Sequence, residues 1–137
     1  MEELLNTLNT RMITSKEELL SLAEPWNLLH IEIKGTIFQT FEWNASWWDI
    51  YAQKNFQLCV FTIWKDKKLI GILPVFQETY RFGSVTFSRL RFFATTETYG
   101  EYSPLVHPHY ENEVLPAMVN FCTERIRTNK CDMVSVF

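Results

Sequence analysis

The sequence predicts a mixed α/β (α+β) domain with a largely antiparallel sheet flanked by helices, and three observations carry that expectation. Residues 58–64 and 69–76 are two nearly continuous apolar runs, separated by the short polar stretch Lys65-Asp66-Lys67-Lys68, which is the pattern of a β-hairpin. On either side of this block the apolar residues recur at steps of three and four, the period of a helix buried along one face. The order of segments is helices, then several strands, then one helix and one strand, a layout that places helices around a mixed sheet.

Length and composition set the scale. With 137 residues, 47% of them apolar and 15% aromatic, the chain suits one domain with a densely packed core. Acids outnumber bases, 16 to 13, which argues against a nucleic-acid binder that must neutralise several phosphates. Cys59, Cys122 and Cys131 are odd in number, widely spaced and set among apolar residues, so they read as buried free thiols in a reducing compartment. The opening residues Met1-Glu2-Glu3-Leu4-Leu5-Asn6 are acidic where a secretory signal is basic. No apolar run approaches the ~20 residues of a spanning helix. The expectation is a soluble cytoplasmic protein with no nucleic-acid or membrane partner.

Taken in order, residues 1–13 are weakly patterned and read as an arm or a short helix, with the domain proper over 14–137. Ser15-Lys16-Glu17-Glu18 fits a capping box. Leu19, Leu20, Leu22 and Ala23 then form a helical stripe. Pro25 either breaks this helix or opens a second piece carrying Trp26, Leu29 and Ile33, with Gly35 as its stop. Thr40 as N-cap and Glu42 in the first turn announce the next helix, whose expected buried stripe is Trp43, Trp47, Ile50 and Tyr51, with Trp48 at its edge. Inside the hairpin, Gly71 suggests a bulge or a close backbone approach, and Pro74 an end to regular pairing. After a turn at Phe82-Gly83-Ser84 comes a strand over 85–93. Its apolar residues change parity, from Val85 and Phe87 to Leu90 and Phe92, which predicts a bulge near Ser88. Residues 94–110 read as a polar loop with a short strand over 103–106. A helix from about Asn112 follows, with Val114, Leu115, Met118, Cys122 and Ile126 as its stripe, and then a strand over 131–137. The apolar ending Val136-Phe137, without turn or cap, predicts a domain that continues further.

The candidate chemistry is sparse. No G-x-S-x-G, G-x-x-x-x-G-K-[ST] or G-x-G-x-x-G occurs, and no catalytic residue is assigned. His107-Pro108-His109 has the look of a metal pair, but no further ligands accompany it, so no metal is expected. Trp43, Trp47 and Trp48 read either as core or as a stacking surface for a sugar or planar ligand, with Trp48 the best candidate for a cleft wall. Glu97, Tyr99, Glu101 and Tyr102 gather in the polar loop with His107 beyond. Glu and His are general bases for an amine, and tyrosine hydroxyls can orient one. The substrate-binding candidates are Trp48, Tyr99, Glu101, Tyr102 and His107.

These pieces resemble a known family. Trp26-Asn27-Leu28-Leu29, Phe38-Gln39-Thr40-Phe41-Glu42-Trp43 and Trp47-Trp48 are similar to the "W-x-x-L … P-F-Q-S-x-E-W … W" opening of bacterial GNAT-superfamily acyltransferases of the type associated with cellulose biosynthesis. Leu69-Ile70-Gly71-Ile72-Leu73-Pro74-Val75 resembles that family's "L-x-G-I-L-P-L". Arg89-Leu90-Arg91-Phe92-Phe93 followed by Tyr99-Gly100-Glu101-Tyr102-Ser103-Pro104-Leu105-Val106 resembles its "L-R-F-L-G … S-D-Y-x-D-L-L". Cys131-Asp132-Met133-Val134 falls where the family has a "W-D-x-L" strand. The resemblance implies two GNAT-like halves in tandem, as in the Fem-type aminoacyl transferases, with this chain matching the N-terminal half. It also implies acyl transfer from acetyl-CoA to an amine in the complete protein. The superfamily grips the coenzyme's pyrophosphate with a Q/R-x-x-G-x-G/A turn at a helix N-terminus. Here the glycines are Gly35, Gly71, Gly83 and Gly100, none in that spacing, so no cofactor-binding residue is expected in this piece. The expected partner is a C-terminal GNAT-like half or another copy of the chain. The competing expectation is a stand-alone, non-catalytic module for protein interaction or self-association, pairing through an exposed strand edge near residues 134–137.

Overall fold

A computed structural model describes residues 8–93 and 103–135. Within them, four helices and eight strands form two four-stranded sheets, each mainly antiparallel, with helices on both faces. The mixed α+β architecture is the one expected.

Of residues 1–13, expected as an arm or short helix, residues 8–13 form a strand and residues 1–7 lie outside the described residues. Leu8–Ile13 (β1) pairs antiparallel with Val60–Lys65 (β3), from Leu8 opposite Lys65 to Ile13 opposite Val60. Only Ile13 of β1 is buried, so the strand has no apolar alternation to betray it, and its backbone ladder to β3 makes it a strand. Ser15 then caps Lys16–Leu20 (α1), its hydroxyl accepting from the Glu18 amide while the Glu18 carboxylate accepts from the Thr14 amide. Ala23–Ile33 (α2) is the restarted piece, with Pro25 in its first turn, where no helical acceptor is lost. Lys34, at φ 54°, rather than Gly35 takes the left-handed position that ends it.

Phe41–Tyr51 (α3) begins at Thr40 as expected, the Thr40 hydroxyl accepting from the Trp43 amide. Its buried face is different from the expected one. Phe41, Asn44, Ala45 and Trp47 point inward, while Ile50 is 71% exposed. The Asn44 amide decides this rotation, donating to the carbonyls of Phe38 and Thr40 and tying that face into the chain before the helix.

Two long strands, each interrupted once, link the sheets. Phe56–Leu58 (β2) runs past Cys59 into β3, and Lys68–Leu73 (β4) runs past Pro74 into Val75–Phe82 (β5). At the break the Cys59 amide donates to the Val75 carbonyl. The first sheet has the order β1-β3-β4-β7, with Leu105–Val106 as β7. The second has the order β2-β5-β6-β8, with Val85–Phe92 as β6 and Met133–Ser135 as β8. Strand β8 lies parallel to β6, and every other pairing is antiparallel.

The bulge expected at Gly71 is present. Ile63 opposes Gly71 but Trp64 opposes Leu69, which leaves Ile70 as the extra residue. Leu69 and Ile72 therefore share the core under α1–α3, while Ile70 and Leu73 face Glu111–Arg127 (α4). The bulge expected near Ser88 is absent. Strands β5 and β6 pair without interruption from Val75–Phe92 to Phe82–Val85, so Val85, Phe87, Arg89 and Arg91 lie on one face. The parity change in the sequence marks where that face passes from exposed to buried. Phe82 and Val85 are 69% and 63% exposed at the outer end, and Arg91 is buried at the inner end.

Two cores result, one on each side of the sheets. Trp26, Leu29, Trp47, Ile72, Phe76 and Leu105 anchor the side under α1–α3. Val114, Met118 and Cys122 of α4 anchor the other with Phe61, Ile63 and Leu90. The inward position expected for Ile126 belongs to Arg125, and Ile126 is half exposed. All three cysteines are free and buried. Among the described residues no helix is long and apolar enough to cross a membrane.

Candidate functional site

Of the five expected substrate-binding residues, Tyr99, Glu101 and Tyr102 lie outside the described residues, as does Glu97. Trp48 and His107 lie within them and have no partner in common. Trp48, half-buried on α3, stacks on Phe93 with ring centroids 5.5 Å apart and meets Phe76 edge-on at 5.8 Å. Trp47 beside it also stacks on Phe93, at 5.6 Å. The pair fixes α3 over the second sheet, and offset and edge-to-face contacts of this kind add to plain burial.

His107 follows β7 and caps a 3₁₀ turn over Pro108–Tyr110 that leads into α4. Its Nδ1 accepts from the His109 amide at 3.2 Å. Nε2 therefore carries the ring hydrogen in the neutral form and donates to Glu32 Oε2 at 2.8 Å. Lys68 Nζ reaches the same carboxylate oxygen at 3.0 Å. Lys68, then His107, holds the Glu32 carboxyl below the usual glutamate range. With both ring nitrogens engaged, His107 positions the turn and has no free lone pair for an incoming amine's proton. The His109 ring stands edge-on to it at 6.5 Å, and among the described residues no group of three His, Cys, Asp or Glu can hold a metal ion.

The strand–turn–helix passage β7 to α4 is the kind of place where free amides at a helix N-terminus can hold phosphates. The residues here do not fit that task. Pro108 has no amide hydrogen, the His109 amide is taken by His107 Nδ1, and the Tyr110 amide donates to the His107 carbonyl at 2.9 Å. Glu111 and Glu113 occupy the first turn of α4, where they satisfy the positive end of the helix dipole and repel an anion. Lys65 sits 3.5 Å from Glu113 and 5.0 Å above the Tyr110 ring.

Sequence reasoning missed a buried polar cluster on the second sheet. Glu78, on β5, accepts from Arg89 at 3.0 Å and from Arg91 at 3.2 Å, and the Arg91 guanidinium lies 5.1 Å above the Phe76 ring. Glu78 and Arg91 are 5% and 4% exposed. Burial pushes the Glu78 carboxyl up, but the hydrogen bond from Tyr80 and the two guanidiniums outweigh it, so the net direction is down. The same carboxylate raises the Tyr80 phenol. The expected strand stops at Phe76, whereas β5 runs on to Phe82 and so carries Glu78 alongside Arg89 and Arg91 of β6, with opposite charges side by side on one face.

No family model matches the chain, and no curated protein matches it. Solved structures do. An aminoglycoside acetyltransferase from an uncultured soil metagenomic sample superposes with a TM-score of 0.57 at 9% identity, covering 96% of this chain and 79% of that one. A ribosomal-protein-alanine N-acetyltransferase from Brucella melitensis biovar Abortus gives 0.52 at 8% identity, over 96% of this chain and 79% of its own. A GNAT family acetyltransferase from Staphylococcus aureus gives 0.51 at 13% identity, over 96% and 86%. The chain has the fold of GNAT-family acetyltransferases.

Proposed function

We propose that this chain works in acyl transfer as a GNAT-like half that builds the fold and the acceptor side, while the acyl-CoA diphosphate is held outside these residues. A C-terminal GNAT-like half or a second copy of the chain would hold it. The shared fold supports acyl transfer, and the amine as acceptor follows from the resemblance. The observation that supports the division of labour is the entrance to α4, where Pro108 lacks an amide hydrogen, the His109 and Tyr110 amides are engaged, and Glu111 and Glu113 fill the first helical turn. Trp48 and the loop residues Tyr99, Glu101 and Tyr102 are the proposed acceptor wall. His107 caps the turn that leads into α4. No step of the reaction is assigned to the coenzyme at these residues. Calorimetric titration of acetyl-CoA into the 137-residue chain is expected to give no heat of binding, and micromolar affinity would overturn the reading.

A second reading, a stand-alone self-associating module, is favoured by one observation. Phe82, Val85 and Phe87 are exposed on one face of β5–β6, with the 40%-exposed Met133 of β8 beside Arg89. Exposed apolar surface of this kind marks interaction sites. Sedimentation separates the readings: a dimer that forms without coenzyme binding or transfer activity supports the module, and a monomer removes it.

A further inference from the structure

Arg125 is the inward-facing charge of α4 and is 9% exposed. A guanidinium stays charged at physiological pH, and a buried cation ordinarily has a carboxylate beside it. The partners of Arg125 are neutral. Nη2 donates to Gln77 Oε1 at 2.6 Å, Nη1 approaches Met12 Sδ at 3.3 Å, and the plane lies 5.7 Å from the Phe121 ring centre. Its Nε is buried with no acceptor among the described residues. Arg125 also borders a cavity of about 430 Å³ between α4 and the first sheet, lined as well by Thr10, Asn120, Phe121, Glu124 and Lys130.

The charges around this cavity do not balance. Among the described residues Glu124 is its one lining carboxylate, and Arg127 already claims both of that residue's oxygens, at 3.0 and 2.6 Å. Lys130 has no anionic partner among the described residues. The negative end of the α4 dipole offsets roughly half a charge, against two from Arg125 and Lys130. The helix-end carbonyls are themselves engaged: the Arg125 carbonyl accepts from the amides of Lys130 and Cys131, and the Glu124 carbonyl from Thr128. About one and a half positive charges therefore face an accessible space lined by further side-chain donors from Asn120 and Thr10.

We propose that this cavity is a binding site for a small oxyanion, a phosphate or carboxylate group, drawn by Arg125 and Lys130. It lies at the opposite end of α4 from the turn at His107 and stands independently of the acyl-transfer reading. The test is a nuclear magnetic resonance titration of the full chain with sodium phosphate and, separately, sodium acetate, at ionic strength held constant with sodium chloride. The Arg125 Nε–H and the Asn120 side-chain amide are the reporters. A saturable shift of both with either anion is expected, and which anion saturates at lower concentration identifies the group. Lys130→Gln, a surface change, should weaken that binding about fivefold without altering the rest of the spectrum. Arg125→Gln should abolish it, and if that variant does not fold, Lys130→Gln decides. Shifts no larger than those from chloride, or a Lys130→Gln variant that binds like the parent, would overturn the proposal.

Discussion

Glu32 at the end of α2 and His107 at the entrance to α4 are 75 residues apart and meet at 2.8 Å. The contact ties the helices on opposite faces of the sheet to one another through the turn that β7 feeds. Since the pair is partly exposed and shared with Lys68, its breakage should cost little in global stability. Glu32→Gln or His107→Ala is expected to lose about 0.5–1 kcal/mol in urea denaturation. The local effect should be larger: in His107→Ala the His109 amide loses its acceptor and should exchange with deuterium markedly faster. Unchanged exchange at His109 would show that the histidine does not cap the turn.

The Glu78 cluster is where pH should act most strongly. The folded carboxyl lies below its ordinary value of 4.5. Its contribution is therefore fully present above that value and is lost as pH falls through the lower folded value. Urea midpoints should drop between pH 5 and pH 3, and Glu78→Gln should flatten that drop. At neutral pH Glu78→Gln removes a charged acceptor from the buried Arg91 guanidinium and from Arg89 and should cost about 1.5–3 kcal/mol. A cost under 1 kcal/mol for the single change would mean that the carboxylate does not hold the arginines.

What could be read from the residues alone follows a physical divide. The hairpin around Asp66 was legible because β-branched and apolar runs flank a polar tip, and the caps at Ser15 and Thr40 because their hydroxyls act on amides three residues away. Contacts set by distant partners were not. Leu8–Ile13 is a strand only because β3 lies beside it. The burial of α3 turns on the Asn44 side chain rather than on the tryptophan spacing, so the expected core residue Ile50 stands in solvent. Arg89 and Arg91 alternate with Leu90 and Phe92 in the sequence, and only the pairing of β5 with β6 places Glu78 beside them. Of the candidate site, His107 was legible as a residue and its role was not. A histidine next to a proline in a polar stretch suggests chemistry, and only the contacts to Glu32 and to the His109 amide show that both ring nitrogens are engaged.

The cysteines offer a test of the core under α4. Burial pushes the Cys122 thiol up to about 11 and raises Cys59 and Cys131 as well, the nearby Arg125 charge opposing the shift in each case. At pH 7.5 a thiol at that value is ionised in about one molecule in three thousand. All three should resist a thiol-specific disulfide reagent in the native protein and react together once urea unfolds it. Rapid native labelling of any one would show that the core opens there.

Gly71 is the point at which α4 rests on the sheet. A Cβ added there would lie 2.6 Å from Val114 Cγ1, closer than packed carbons tolerate, with Met118 and Ile63 at 3.3 and 3.4 Å behind it. The bulge at Ile70 aims that backbone at the helix, and Val114 is wholly buried, so neither side can yield without disturbing a core. Gly71→Ala should therefore destabilise by about 1–3 kcal/mol, despite alanine's lower entropy cost of folding. Val114→Ala alone should cost about 1–2 kcal/mol through the space it leaves. The double variant should be more stable than the sum of the two predicts, because the new methyl occupies the vacated volume. A coupling of at least 1 kcal/mol in that cycle is expected, whereas strict additivity would place the helix away from Gly71.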